Sequence, residues 1–300
     1  MKLEWTNRRR RAAMITAWIA ATALLAICAR NVDWSRAGQV LASVRLSWAA
    51  AAIVANGAIL LLWAGFWGAL RPPEERSISF TRMFEITSTA SALMNTVPFG
   101  GGHASSVLLL MRRGETTQRG ALSVLALDQL GEGLAKVSIF LLVGWLLPLP
   151  AWMRAGITTA SLAVAAWLVT LVVASRWATE LRILERWRGL KAMAYVGAMK
   201  AAEACAIAAV QRAFGVDISV SGTLLVLAAV ILGSMIPMSP GNLGTYEASA
   251  FLAYRYLGIT PEQAMGLALV QHICFIVPSV GVGYLMMSVQ TVSRSAIASR

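Results

Sequence analysis

Val97-Pro98-Phe99-Gly100-Gly101-Gly102-His103 and Ile236-Pro237-Met238-Ser239-Pro240-Gly241-Asn242-Leu243-Gly244 interrupt two otherwise apolar stretches of this chain. At membrane depth no water satisfies a free backbone amide, so such a break survives only buried in protein or lining a polar cavity. Membrane transporters build their sites on interrupted helices of this kind. After each break comes a short apolar half-helix ending in Arg112-Arg113-Gly114 or Tyr254-Arg255-Tyr256-Leu257-Gly258, then a polar cap and a long span. Setting Pro98 against Pro237 and Thr116 against Thr260 leaves separations of 18 and 23 residues. The chain therefore reads as one integral membrane domain over 1–300 containing two similar units, about 82–147 and 218–288.

The composition agrees with that reading. At 58% hydrophobic and 13% charged, with mean hydropathy +0.66, the 300 residues carry too little polar surface to cover a soluble globule. The net charge of +12 comes from 26 Lys and Arg against 14 acids. In a soluble protein that excess points to nucleic acid. Here the cations sit in a few loops between apolar runs, which fits orientation by the positive-inside rule and contact with anionic lipid, with no nucleic-acid partner. Cys28, Cys205 and Cys274 lie in apolar segments without paired spacing, so neither a disulfide framework nor a zinc site is expected. The Arg-rich start followed by 12–29 imitates a signal peptide, but it lacks a small-residue exit and reads as an uncleaved anchor.

Runs near the ~20 residues needed to cross a bilayer occur at about 12–29, 46–70, 120–147, 152–175, 192–213 and 262–288, giving about six full spans. Two shorter runs, 82–97 and 218–236, lead into the breaks. Charge decides whether those two cross. With Arg8 to Arg11 inside, full crossing by 82–97 would put Arg112, Arg113 and Arg119 outside, and the Arg176 to Lys191 loop after them. A re-entrant hairpin made of 82–97 and 103–112 instead keeps every strongly basic loop cytoplasmic. By the same logic 218–236 and 243–256 form a second hairpin from the opposite face, and both termini lie inside. The expected fold is an all-α polytopic membrane bundle with two oppositely inserted hairpins, an inverted repeat. Segments 31–45 and 176–191 read as interfacial amphipathic helices.

Ionisable residues inside spans are the next signal. Asp128, Glu132 and Lys136 follow at four-residue steps and share one helix face. At roughly 2.5–3.5 kcal/mol each near the bilayer centre, they oblige that face to turn into the bundle. Glu132 with Lys136 and Lys200 with Glu203 are spaced to pair, so each is either a structural ion pair or part of a site. Gly131 and Gly133 permit close helix approach. The two histidines, His103 and His272, have three readings: a metal pair, the lining of a polar cavity, or packed and satisfied rings. No carboxylate or cysteine at ligand spacing supports the first. No hydrolase elbow, phosphate loop or zincin helix is present, so no cofactor and no catalytic residue is expected.

Pro98-Phe-Gly-Gly-Gly, Arg112-Arg113-Gly114, Leu127-Asp128-Gln129 and Pro240-Gly241-Asn242-Leu243-Gly244-Thr245-Tyr246-Glu247-Ala248 together resemble the transmembrane-region family of lysylphosphatidylglycerol synthetases, also called flippase-like. The resemblance spans nearly the whole chain, and its proline-glycine-x-leucine-glycine-x-aromatic-glutamate stretch is fairly specific. It implies a membrane part that moves a lipid between leaflets, without the soluble domain that synthesises the aminoacyl lipid. Together with the breaks, the ionisable residues inside spans and the two histidines, the expected substrate site comprises Pro98, Gly100, Gly101, Gly102, His103, Asp128, Gln129, Glu132, Pro240, Gly241, Asn242, Gly244, Tyr246, Glu247 and His272; the resemblance itself carries over Glu247, the foremost of them. The chain departs from the family at His103 and Ser106, where an acid and an arginine are usual, at Gln129, and at Gln271-His272. Fewer fixed cations favour a neutral or amphipathic lipid, such as an isoprenoid.

The expected function is thus a lipid flippase or transporter of a bacterial inner membrane, with membrane lipid as substrate and no enzymatic activity. Two alternatives stay open: a non-transporting scaffold for lipid-synthesis enzymes and a membrane-embedded lipid-modifying enzyme. Assembly with a second copy or with such enzymes is left open as well.

Overall fold

Hydroxyl and carboxylate side chains set where helices begin. Asp33, Ser79, Thr117 and Ser219 each accept a backbone amide two or three residues ahead, satisfying donors that a helix start leaves free. Ser79 and Ser219 occupy the same place in the two units, at the foot of each hairpin. The computed structural model describes residues 15–16, 18–20, 22–30, 32–97, 101–177, 186–235 and 239–298. An N-terminal helix α1 (Trp18–Ala29) precedes α2 (Trp34–Ala42), α3 (Leu46–Leu70), α4 (Phe80–Thr96) and α5 (Gly101–Arg113). Then follow α6 (Gln118–Leu146), α7 (Ala151–Trp177), α8 (Arg186–Ala213), α9 (Val220–Ser234), α10 (Thr245–Tyr256) and α11 (Pro261–Ala298). Among the described residues there is no strand.

Four helices are long and apolar enough to cross a membrane: α3, α6, α8 from Arg188, and α11 as far as Val289. They coincide with four of the six expected spans. The expected 152–175 falls on α7, which has 27 residues, and of 12–29 the residues 15–16, 18–20 and 22–29 are described. Of the expected amphipathic segments, 31–45 contains α2, while 178–185 lies outside the described residues.

α3 and α8 run antiparallel and form the frame. At one end Arg45 Nη2 donates to the Arg212 carbonyl at 2.6 Å; at the other Arg188 Nη1 donates to the Arg71 carbonyl at 3.2 Å. The 25 residues of α3 cover about 37 Å at a rise of about 1.5 Å per residue, more than the ~30 Å hydrocarbon core. The hairpin helices are shorter. α4 has 17 residues, α5 13, α9 15 and α10 12, or about 18–26 Å each.

Both pairs are antiparallel hairpins. At the foot of the first, Arg82 Nε donates to the Arg113 carbonyl at 3.2 Å. Glu75, just beyond α3, accepts from the amide and hydroxyl of Thr117 at 2.9 and 2.8 Å. This foot therefore lies at the Arg71 end of the frame. The foot of the second lies at the other end, where Arg212 pairs with Asp217 at 3.0 Å and Gly222 packs under Leu257. The hairpins thus enter from opposite ends, and their tips meet: a Cβ on Gly241 would lie 3.5 Å from the Asn95 carbonyl oxygen. Each hairpin has its own apolar core, Phe66, Trp67, Met83, Ile86 and Leu110 around the first and Val226, Phe251, Tyr254 and Leu267 around the second. Large apolar side chains such as Val54, Leu61, Leu162 and Trp145 face outward, where a bilayer is their solvent.

Candidate functional site

The hairpin tips enclose a cavity of about 550 Å³. Met94, Asn95 and Val97 line it from the end of α4, Gly102 and His103 from the start of α5, and Gln129, Gly133 and Lys136 from α6. Ser234 and the bend Ser239–Asn242 close it from the second hairpin. The lining supplies amides, hydroxyls, one imidazole and one ammonium, and no carboxylate among the described residues. Asn95 Nδ2 and Gln129 Nε2 are already donated to the Ser91 carbonyl and to Asp128, so the lining offers a guest amide oxygens as acceptors beside the Lys136 ammonium as a donor.

Gln129 is held at the wall because its Nε2 donates to Asp128 Oδ2 at 3.1 Å. Asp128 is buried behind it, and its other oxygen accepts from the indole nitrogens of Trp63 and Trp67, both at 2.8 Å. The two tryptophans are one helical turn apart on α3, so a single carboxylate ties α6 to α3 and orients Gln129.

The pairing of Glu132 differs from expectation. Glu132 bonds Lys200 at 3.0 Å, and Lys200 also bonds Glu203 at 2.9 Å, giving a Glu–Lys–Glu triad across α6 and α8. The cause is the close crossing one turn earlier, where a Cβ on Gly131 would lie 3.2 Å from Val196. That contact brings Lys200, four residues past Val196, onto Glu132, and one ammonium then serves two half-buried carboxylates. Lys136 is left without an ion pair among the described residues and lines the cavity instead. A second chamber of about 310 Å³ borders the triad and shares Lys136, Ser234 and Asn242 with the first; Asn56, Tyr246 and Gln271 also line it.

The bend that forms the cavity's other wall is fixed from behind. Gly241 has φ +62°, Asn242 +56° and Gly244 +91°, the left-handed region in which glycine is cheap. Glu247 Oε2 accepts from the Gly244 amide at 2.7 Å, which caps α10. Its Oε1 lies 2.7 Å from His272 Nδ1, and His272 Nε2 lies 2.9 Å from the Gly241 carbonyl. A carbonyl only accepts, so Nε2 carries a proton, and Nδ1 and Oε1 share the remaining one. The pair is net neutral in either arrangement. Tyr246 stacks on the His272 ring with centroids 4.1 Å apart, and a chain of hydrogen bonds continues from Tyr254 to Gln271 to Tyr246.

The expected site residues therefore separate by position. Gly102, His103, Gln129, Pro240, Gly241 and Asn242 come together on the cavity wall. Asp128 stands behind Gln129, while Glu132 and Tyr246 face the second chamber. Gly244, Glu247 and His272 form the clamp behind the bend, so His272 is a packed, satisfied ring and Glu247 a positioning residue. Gly101 packs on Val97 beside the cavity; Pro98 and Gly100 lie outside the described residues. Among the described residues no group of three His, Cys, Asp or Glu forms a metal site. Sequence reasoning missed Asn95 and Ser234, and it had Lys136 either paired with Glu132 or in the site, of which the structure shows the second. The available signal for Asn95 and Ser234 was proximity to the breaks.

Two opposed helical hairpins with apposed tips are what the interrupted apolar runs and the basic loops predict from the sequence. Residues 13–283 match the family described as lysylphosphatidylglycerol synthase TM region. The chain belongs to that family. No curated protein matches it. Membership in the lysylphosphatidylglycerol synthase TM-region family makes this a multi-pass membrane protein with a lipid-related role. In this member the proline-glycine-x-leucine-glycine-x-tyrosine-glutamate stretch, Pro240 to Glu247, is the bend together with its own clamp.

Proposed function

We propose that this chain is a lipid flippase, carrying an amphipathic lipid between leaflets of a bacterial inner membrane in which both its termini are cytoplasmic. One observation carries the reading: two hairpins inserted from opposite ends meet tip to tip around a cavity lined by polar side chains. A head group held there is within reach of either face through a modest shift of one hairpin, which is how repeat-built carriers alternate access. The lipid's chains need not enter, because the outward faces of the bundle are apolar. Transport of this kind needs no covalent chemistry and no cofactor. Lys136 and His103 favour a head group with acceptor oxygens, and the surrounding amides of Asn95, Gln129 and Asn242 suit a neutral polar one equally.

The test is leaflet exchange of the co-purifying lipid in proteoliposomes, read with a probe confined to the outer leaflet. Wild-type protein should exchange lipid above empty vesicles. Lys136→Met should slow it about tenfold, the cost of one charge-assisted hydrogen bond, while leaving the thermal midpoint in place because Lys136 holds no ion pair among the described residues. No exchange by wild-type protein under any imposed gradient rejects the flippase reading in favour of a scaffold for lipid synthesis.

A further inference from the structure

At the basic end of the frame, away from the central cavity, the structure forms a second polar pocket that lipid transport does not call on. It has a volume of about 330 Å³ and lies between the last turns of α3, the loop 72–78 and the first turns of α8. We propose that this pocket binds a phosphate group, carried by the head group of an anionic lipid.

Four cations line it, Arg71, Arg76, Arg188 and Lys191, against one carboxylate, Glu75. That carboxylate is already engaged, since Oε1 accepts twice from Thr117 while Oε2 lies 3.5 Å from Arg71. Arg76 is drawn outward to Glu115 at 3.5 Å. Arg71 is only 6% exposed. Its Nη2 donates to the Arg76 carbonyl at 3.0 Å, and its Nη1 has no partner among the described residues. That nitrogen is itself closed off from solvent, so what Arg71 brings to the pocket is a fixed positive charge at its border. Lys191 has no ion pair among the described residues and faces the same space. Arg188, by contrast, is held in place through its bond to the Arg71 carbonyl.

A cluster of four cations bordering one space, with Lys191 free of an ion pair among the described residues, suits a tetrahedral oxyanion with several acceptor oxygens. The pocket's other wall is apolar: Ile78, Met83 and Phe80, which is 55% exposed. A free ion has no use for that wall, whereas a glycerol backbone and the first methylenes of an acyl chain do. Gly68 opens the floor, because nothing lies within 4 Å of the place its Cβ would take.

The experiment follows thermal unfolding of purified protein in detergent with added phosphatidylglycerol, uncharged diacylglycerol or inorganic phosphate, since a ligand of the folded state raises the midpoint. Phosphatidylglycerol should raise it and diacylglycerol should not. Gly68→Leu, which fills the pocket, and Lys191→Gln, which removes a cation without breaking an ion pair, should weaken the apparent affinity about tenfold. Lys136→Met in the central cavity should leave that affinity unchanged, so this site and the transport reading fail independently. Protection by inorganic phosphate as strong as by the lipid supports the phosphate site and assigns its source to the free anion. Equal protection of wild type, Gly68→Leu and Lys191→Gln overturns the proposal, as does a wild-type midpoint that neither phosphatidylglycerol nor phosphate moves.

Discussion

Lys200 is the residue on which the polar interior turns. Its ammonium bonds carboxylates on two helices at 3.0 and 2.9 Å, so Lys200→Met would strand two negative charges inside a membrane bundle. Breaking a buried pair by removing one partner costs about 3–5 kcal/mol. We expect Lys200→Met to abolish expression or lower the midpoint sharply, and Lys200→Met with Glu132→Gln to recover part of the loss. Lys136→Met should by contrast fold like wild type. Additive losses in the double variant, measured by thermal unfolding in detergent, would reject the triad. This distinction was not legible in the sequence. Helical spacing offers Lys136 to Glu132 just as readily as Lys200 to Glu203, and only the α6 to α8 crossing at Gly131 and Val196 decides between partners. The same holds for Glu247 and His272. Their types marked them as important, but their common task, holding the Gly241 carbonyl and the Gly244 amide, depends on α11 lying beside the bend.

At the scale of elements, the two hairpins close because glycines sit where their arms touch. A Cβ on Gly102 would stand 2.4 Å from the Met94 Cα, and one on Gly233 1.9 Å from the Ser249 hydroxyl with the Thr245 carbonyl oxygen at 2.9 Å. Backbone cannot step aside as a flexible side chain can, so Gly102→Ala forces the arms of the first hairpin apart. Overpacking of this kind costs about 1–3 kcal/mol. Gly197 in α8 has nothing within 4 Å of its Cβ position, and Gly197→Ala should gain about 0.5–1 kcal/mol from helix propensity alone. Thermal midpoints should therefore fall for Gly102→Ala and Gly233→Ala and hold or rise for Gly197→Ala. Equal effects at all three would show that the arms are not in contact. The hairpins themselves were legible, because proline and glycine inside apolar runs have few explanations at membrane depth. Which tip residues face the cavity was not, since a break fixes where the chain turns but not how two tips rotate against each other.

At the scale of the whole molecule, the frame and the charges make one topological statement. Arg71, Arg76 and Arg188 gather at the foot of the first hairpin, while Arg45 and Arg212 mark the opposite end with Asp217 beside them. The positive-inside rule predicts that the first group is cytoplasmic. The four helices that qualify as spans do not establish which end that is, because α3 and α8 are antiparallel and carry arginine at both ends. A single cysteine at Glu115, in the loop after the first hairpin, and another at Asp217, before the second, separate the possibilities. Both residues are exposed, with side chains 62% and 81% accessible, so labelling depends on sidedness and not on burial. In a background lacking Cys28, Cys205 and Cys274, an impermeant maleimide added to intact cells should label the cysteine at Asp217 and spare the one at Glu115 until the cells are opened. Labelling of both from outside, or of Glu115 alone, would break the opposed insertion of the hairpins or reverse its direction, and with it the route by which a head group crosses.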